Sequence, residues 1–462
     1  MKKMKSDVFI QDTNIFEYDN STIFNPSSVY PEGLNIDIKS DKNIYDNMRN
    51  LFINMKLDKK NIGTKDWNPF GEFISCNDNV VIKPNLVYHI NKLSNGTMDS
   101  MITNFSIIRP VIDYVIIALK KTGNIIVGDA PVQECIFEKV IAVNNLDEAI
   151  NIYNKNGYKI KLCDFRKNNN TDLECITVSL DKDSSLSDID KFYKQFAISN
   201  YDLRVMHSHH SEGKHEYLIP KDILAADVII NLPKAKTHRI AGITASMKNF
   251  VGANAKKEYL PHHRNGNIYH NGDEYPEKSL LKACQSHVKN YTYMHNKFVD
   301  FVNLGLRGVQ KVLRKNRYLK GMWYGNDTIW RTILDINKVM IYADKNGVMQ
   351  LERQRKILNI ADMIISGEKE GPLTPTAKPV GLLVAGFNQL NVDKVICSIM
   401  GFDTKKIKTL ANGYDLVKYK ISDSKKFDIY DQNGKVKNIE IYNKHFCPSD
   451  GWIDYLKNKN CK

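Results

Sequence analysis

The residues that could do chemistry in this 462-residue chain sit where short apolar runs stop. Lys83, Pro84 and Asn85 follow VVI (80–82), and Asp129 follows NIIVG (124–128). Asn231, Lys234, Lys236, Thr237 and His238 follow DVII (227–230), and Glu368, Glu370 and Gly371 follow DMIISG (362–367). In an open parallel sheet, ligands bind beyond the carboxyl ends of the strands, so these clusters would meet at one mouth. Lys83, Lys234 and Lys236 would make that mouth positive. It would then suit a phosphate or carboxylate and could stabilise negative charge that develops in a transition state. Lys248 and Asn249 follow one helix later and could join them. His238 comes after a buried run beside two lysines, whose charge would lower its pKa and keep it a neutral base. The residues expected to do chemistry are therefore His238, Lys236 and Glu368. Lys83, Asn85, Lys234, Lys248 and Asn249 are expected to bind substrate. Any one strand-end lysine taken alone more often points to water, so the expectation rests on the repetition.

Histidines form two further clusters. HSHH supplies His207, His209 and His210, with His215 nearby, and LPHH supplies His262 and His263, followed by His270, Asp273 and Glu274. Neutral imidazoles near carboxylates can ligate a divalent metal. Asp129, His262, His263 and Asp273 are the candidate metal ligands, and a divalent metal is the candidate cofactor. On a strand, HSHH would send alternate side chains to opposite faces, so only His207 and His209 would converge. Neither cluster has the helical H-E-x-x-H spacing, and solvated surface histidines would give the same pattern.

Several classes are excluded. The glycine-bearing stretches GDAP, GITASMKNFVG and GEKEGP do not fit the dinucleotide fingerprint, so no NAD site is expected. There is no P-loop motif and no G-x-S-x-G elbow. The eight cysteines include no C-x-x-C pair, so no iron–sulfur cluster is expected, and reduced thiols in a cytoplasm are the default. The N-terminus lacks an apolar core of the signal-peptide kind, and the longest apolar runs are too short to span a bilayer. The net charge of +14 favours anionic partners. It is spread over short runs such as KLDKK (56–60) and KVLRKNR (311–317), as on a solvated surface, so nucleic acid is not an expected partner. The expected partner is an anionic small-molecule substrate, and a homo-oligomer is compatible with the pattern.

The elements that must position these residues read as α/β: a mostly parallel sheet flanked by helices, with α+β insertions. NVVIKPN (79–85), NIIVGDAP (124–131), DVIINLP (227–233), DMIISG (362–367) and PVGLLVAGF (379–387) are the expected core strands. SIIRPVIDYVIIALKK (106–121) has helical periodicity with Gly123 beyond it as a stop, which makes a βαβ unit with the strands on either side. AGITASMKNFVGA (241–253), TIWRTILDINKVMIYAD (328–344) and LNVDKVICSIMGF (390–402) are read as helical. The expected organisation is an N-terminal arm (1–75) packed on a discontinuous core (76–135, 220–255 and 328–410). An insertion (136–219), a His-rich loop and helical insertion (256–327) and a C-terminal extension (411–462) complete it.

Four segments together resemble a known family. They are VVIKPNLV (80–87), the TN…IIRPVIDYVIIALKKTGNIIVGDAP run (103–131), DVIINLPKAKTHRIAGITASMKNFVG (227–252) and DMIISGEKEGPLTPTAKPVGLLVAGFNQLNVDKVICSIMGF (362–402). Their order and spacing are similar to the family called domain of unknown function 362. NPFGEFI (68–74), KEYLPHHRNG (257–266), GDEYP (272–276) and WYGNDTIWRTILDINKVMIYAD (323–344) look like a long-form branch, associated with gene clusters for surface polysaccharides. The resemblance implies a fold and a site but no settled reaction. Carried over residue by residue, that site is Lys83, Asn85, Asp129, Lys234, Lys236, His238, Lys248, Asn249, Glu368 and Asp393. The long-form segments add His262, His263, Asp273, Glu274 and Asp327. Many relatives carry a ferredoxin-like cysteine segment and a redox label; this chain lacks that segment. The expectation is an enzyme acting on a phosphorylated, carboxylated or nucleotide-linked sugar in envelope polysaccharide metabolism. A redox protein and a non-catalytic polyanion-binding protein are the rivals.

Overall fold

The computed structural model describes residues 6–167, 172–289, 301–302, 304–305 and 319–456. The basic run 311–317 lies outside them. In the described residues an eleven-stranded sheet forms from β1 (Val8–Asp12), β2 (Asn79–Pro84), β3 (Asn124–Asp129), β4 (Ile160–Asp164), β5 (Val228–Leu232), β6 (Lys234–His238), β7 (Gly242–Thr244), β8 (Lys356–Glu370), β9 (Thr374–Gly386), β10 (Ile429–Asp431) and β11 (Gly434–Lys435). The order along the sheet is β11-β10-β1-β9-β8-β5-β2-β3-β4, and β6 pairs with β7 and β8. The run β8-β5-β2-β3-β4 is parallel throughout, with Val228 opposite both Lys356 and Val80, and Ile125 opposite Ile160. The β8–β9 hairpin and the β1–β9 pair are antiparallel. The protein is thus a mixed α/β molecule with a mostly parallel sheet. Strands from both chain ends and from segment 136–219 join that sheet, beyond the core segments read from sequence.

Apolar runs without alternation make these strands because both sheet faces are covered. Successive residues serve opposite cores. Val80 and Ile82 pack on one side with Ile44, Met48 and Leu51 of α1 (Lys42–Asn54) and Ile108 and Ile112 of α2 (Phe105–Leu119). Val81 and Ile229 pack on the other side. Their partners there include Met247 of α3 (Ser246–Asn249), Ile333 and Ile336 of α4 (Ile329–Tyr342) and Val395 of α5 (Gln389–Ile399). The helices start where the sequence supplies caps. Asp41 accepts from Asn43 N and Ile44 N, and Asn104 accepts from Ser106 N.

Two local expectations are corrected. Segment 241–253 is not one helix: it divides into β7, the short α3 and a 3-10 turn at Phe250–Ala253. Gly242, at φ +81, turns the chain so that Ile243 pairs with Thr237. Helix begins only where Asp393 of α5 accepts from Ser246 N at 2.6 Å and Met247 N at 2.9 Å. HSHH is not a strand either. His207 and His209 lie on a helix, Leu203–His209, whose cap Asp202 accepts from Arg204 N.

No helix among the described residues is long and apolar enough to cross a membrane. Cys76, Cys135, Cys163, Cys175, Cys284 and Cys397 are free thiols. Cys447 is disulfide-bonded, which corrects the expectation that every cysteine is reduced.

Candidate functional site

The carboxyl ends of β2, β3 and β5 lie side by side, with Asn231 opposite Lys83, and a cavity of about 290 Å³ opens beyond them. Its lining includes Asn85, Asp129, Lys236, His238, Lys248, Asn249, His262 and His263. Lys236 and His238 are two apart on β6, so they share a face. Lys248 and Asn249 come from α3, and His262 and His263 from the loop that follows. Apolar walls are supplied by Val87, Val132, Ile198, Ile240, Met322 and Leu373.

Beneath this cavity Lys83 and Asp129 are paired at 2.6 Å, with side chains 1% and 5% exposed. The other Asp129 oxygen accepts from Leu86 N at 2.7 Å. Asp129 is therefore a neutralised part of the floor, and Lys83 holds a carboxylate of the protein itself instead of a ligand. Gly252 covers the pair. A Cβ there would stand 2.8 Å from Lys83 Nζ and closer still to Asp129, so the position has no room for a side chain.

A chain of amides runs along the strand ends. Asn231 Nδ2 donates to Asn359 Oδ1 at 2.8 Å, Asn249 Nδ2 to Asn231 Oδ1 at 2.8 Å, and Asn85 Nδ2 to Asn249 Oδ1 at 3.0 Å. Lys236 Nζ then donates to Asn85 Oδ1 at 3.2 Å and also to the Met101 carbonyl. Each amide oxygen is used by the next donor, so all four side chains are fixed in one direction. Burial, then the charges of Lys234 and Lys248, hold the Lys236 pKa well below the ordinary lysine value.

His238 is buried, and its Nδ1 accepts from Ile240 N at 3.0 Å and Ala241 N at 3.1 Å. A nitrogen that accepts two backbone N–H groups cannot carry a proton, so in the neutral ring the hydrogen is on Nε2. Burial, then Lys248, His262, Lys236 and Arg239, push the pKa well below the usual value and keep the ring neutral. His238 is neutral as expected, but it offers a hydrogen-bond donor and not a base. His262 has the opposite tautomer. Its Nδ1 lies 2.6 Å from the Leu260 carbonyl, which only accepts, so Nδ1 carries the hydrogen and Nε2 is bare. Burial first, then Lys248, lower its pKa to about 3.

Lys257, which the sequence reading passed over, also lines the cavity, and its ammonium donates to Ala130 O at 2.7 Å. Burial lowers it to about 7, and Lys248 to about 8. The signal for Lys257 lay in KEYLPHHRNG, five residues before His262, but a lysine in a polar loop has no periodicity to place it.

Several expected site residues lie elsewhere. Lys234 is fully buried against Asp362 at 2.6 Å, Tyr18 Oη at 2.8 Å and Ile365 O at 2.9 Å. The β6–β8 register shifts between Lys234 and Lys236, and this irregularity separates two side chains that a regular strand would keep on one face. Glu368 accepts from Cys447 N at 2.9 Å and does not line the cavity. Asp273 accepts from Arg264 N, Thr328 Oγ1 and Asp327 N, which ties the loop 264–273 to the start of α4. The expected metal set is thus not assembled. Asp129 faces Lys83, Asp273 is spent on its loop, and among the described residues no group of three or more His, Cys, Asp or Glu could hold a metal ion. Glu274 and Asp327 do not line the cavity either. His207, His209, His210 and His215 do not line the cavity; His210 and His215 meet through their Nδ1 atoms at 3.2 Å.

Fold and cavity together define an α/β protein with a lysine-lined recess at the carboxyl ends of its parallel strands. Residues 186–398 match the family model described as domain of unknown function (DUF362), which bears out the resemblance over that span. No curated protein matches the chain. Two solved structures show a low similarity to the chain. One is a protein of Thermotoga maritima, at 8% identity and TM-score 0.31, covering 69% of this chain and 53% of that one. The other is the lactate racemase apoprotein of Thermoanaerobacterium thermosaccharolyticum, at 13% identity and TM-score 0.28, covering 79% and 55%. This chain spans just over half the length of each.

Proposed function

We propose that this protein is an enzyme acting on a small anionic molecule, bound by its phosphate or carboxylate group in the cavity beyond β2, β3 and β5. The observation that carries this reading is a set of lining lysines without a counter-ion. Lys236, Lys248 and Lys257 make no ion pair with any described residue, and the Asp129 carboxylate beside them is already paired with Lys83. An anion entering the cavity restores the charge balance that burial has strained. Lys236, fixed by the amide chain, is the anion anchor. The His238 Nε2–H is a neutral donor suited to an oxygen that gains negative charge during reaction.

The size of the cavity is compatible with a small ligand. At about 290 Å³ it lies at the lower end of small-molecule sites, which run from about 300 to 1,000 Å³. A sugar phosphate or a short carboxylic acid fits that scale. A nucleotide-linked sugar would place its phosphate or carboxylate end here. A thermal-shift screen with inorganic phosphate, sugar phosphates and short carboxylic acids tests the reading. Saturating ligand at about 100 times its Kd stabilises the fold by about 2.7 kcal/mol, and the gain should vanish in Lys236→Met. A shift of equal size in that variant would refute the assignment.

A further inference from the structure

Among the lysines of the cavity, Lys248 is set apart by what its amine does not touch. Lys236 is held by Asn85 and the Met101 carbonyl, and Lys257 by the Ala130 carbonyl. Lys83 and Lys234 are closed into ion pairs with Asp129 and Asp362. Lys248 lines the same cavity and makes no hydrogen bond or ion pair with a described residue. It is nevertheless the charge common to the group: its ammonium depresses the protonation of Lys236, His238, Lys257 and His262 alike. Lys248 thus stands within electrostatic reach of all four groups. Its backbone is fixed from below, because Asp393 holds Ser246 N and Met247 N at the start of α3 and the Asn249 side chain is locked into the amide chain.

We propose that Lys248 is a covalent catalytic residue that forms an imine with a carbonyl-bearing anion, an oxo acid or an oxo phosphate, whose anionic group is held by Lys236. This deepens the anion-binding reading above and rests on it. A lysine is a nucleophile only as the free amine, and a buried site next to other cations is where that form is populated. Burial alone brings Lys248 to about 8, so much more of it is free amine at neutral pH than for an exposed lysine.

The step balances without an outside oxidant or reductant. The Lys248 Nζ lone pair attacks the carbonyl carbon, a C–N bond forms, and the carbonyl π pair moves to oxygen. His238 Nε2–H donates to that oxygen, and the bare His262 Nε2 takes a proton shed by nitrogen. His262 passes that proton to the oxygen and relays the second amine hydrogen in the same way, so the oxygen carries both former amine hydrogens and leaves as water when the C–O bond breaks, leaving C=N. The two histidines have the opposite tautomers that this transfer needs, one ring donating at Nε2 and one accepting there.

The test is reductive trapping on the full chain. The protein is incubated separately with pyruvate, with dihydroxyacetone phosphate and with acetone, each with cyanoborohydride, and digested for peptide mapping. The expected result is a near-stoichiometric adduct at Lys248 with one or both anionic probes and a much smaller yield with acetone. The preferred probe tells carboxylate from phosphate. The adduct should be lost in Lys248→Met and retained in the exposed-site variant Lys161→Met. An adduct at Lys257 or scattered over surface lysines would overturn the proposal. So would no adduct from protein that still binds the probe by calorimetry. If neither anionic probe, nor phosphate, binds at all, the anion-site reading fails with it. The mapping is done on wild-type protein, so a poorly folding variant does not decide the outcome.

Discussion

Lys236 donates to Asn85 Oδ1 at 3.2 Å, and that bond ends a relay of buried amides running back through Asn249 and Asn231 to Asn359. The relay runs from the carboxyl ends of β2 and β5 to Asn359, near the start of β8, so the position of one cavity lysine is set by three strands at once. Asn231→Leu should break it in the middle and leave the Asn249 and Asn359 amides each short of a partner. Each unsatisfied buried polar group costs about 1–3 kcal/mol. Urea unfolding should show a loss of that order, and the variant should also bind phosphate more weakly.

Gly252 permits the close approach of cavity floor and ion pair. Gly252→Ala would drive a methyl group against Lys83 and Asp129. Overpacking of this kind costs about 1–3 kcal/mol, read as a lower midpoint of thermal unfolding.

Asp129→Asn removes one half of a buried pair and leaves the Lys83 charge uncompensated. Breaking such a pair costs about 3–5 kcal/mol, whereas replacing both partners with apolar residues costs less. The double variant Lys83→Met/Asp129→Leu should therefore be more stable than Asp129→Asn alone, which a double-mutant denaturation series would show.

Acid should destabilise the fold through its buried histidines. His210 and His262 are both lowered from 6.5 to about 3, burial being the larger cause in each. Between those values the unfolded chain binds protons that the folded chain refuses. Their contribution is fully present above about pH 6.5 and is lost progressively as the pH falls toward 3. Asp393, raised by burial from 3.8 to about 7, acts in the opposite sense over part of that range. His89, His207, His215 and His238 are lowered as well, and Asp46, Asp113 and Asp273 are raised; the lowered histidines outnumber the raised carboxyls, so the net expectation is a falling unfolding free energy from about pH 6.5 to about 4. The check is urea titration at a series of pH values.

The sheet and much of the site were legible because strand ends announce themselves. An apolar run stopped by Lys-Pro-Asn or by Asp marks the end of a strand, and Asn85 and Asp129 stand at such ends in the cavity lining; that Lys236 and His238 lie on a further strand, β6, leaves no mark in NLPKAKTH. Lys234 was misplaced because a register irregularity between β6 and β8 leaves no mark in a spacing of two. Glu368 looked like an acid at a strand end. It is used instead by the backbone of Cys447, a segment 79 residues away that no local pattern connects to it. Asp273 belonged to a histidine-rich loop in the sequence and to a turn anchor in the fold. The tautomers of His238 and His262 depend on backbone groups two or three residues away, and only the folded turn reveals them.

The central claim is that this cavity binds an anion through Lys236. Isothermal titration calorimetry with pyruvate, dihydroxyacetone phosphate and inorganic phosphate tests it most directly, on wild-type protein and on Lys236→Met and Lys161→Met. The account predicts saturable one-site binding of at least one of these anions, unchanged in Lys161→Met and weakened at least tenfold in Lys236→Met, which corresponds to about 1.4 kcal/mol. Binding of equal strength in folded Lys236→Met, or no saturable binding of any of the three to the wild type, would contradict it.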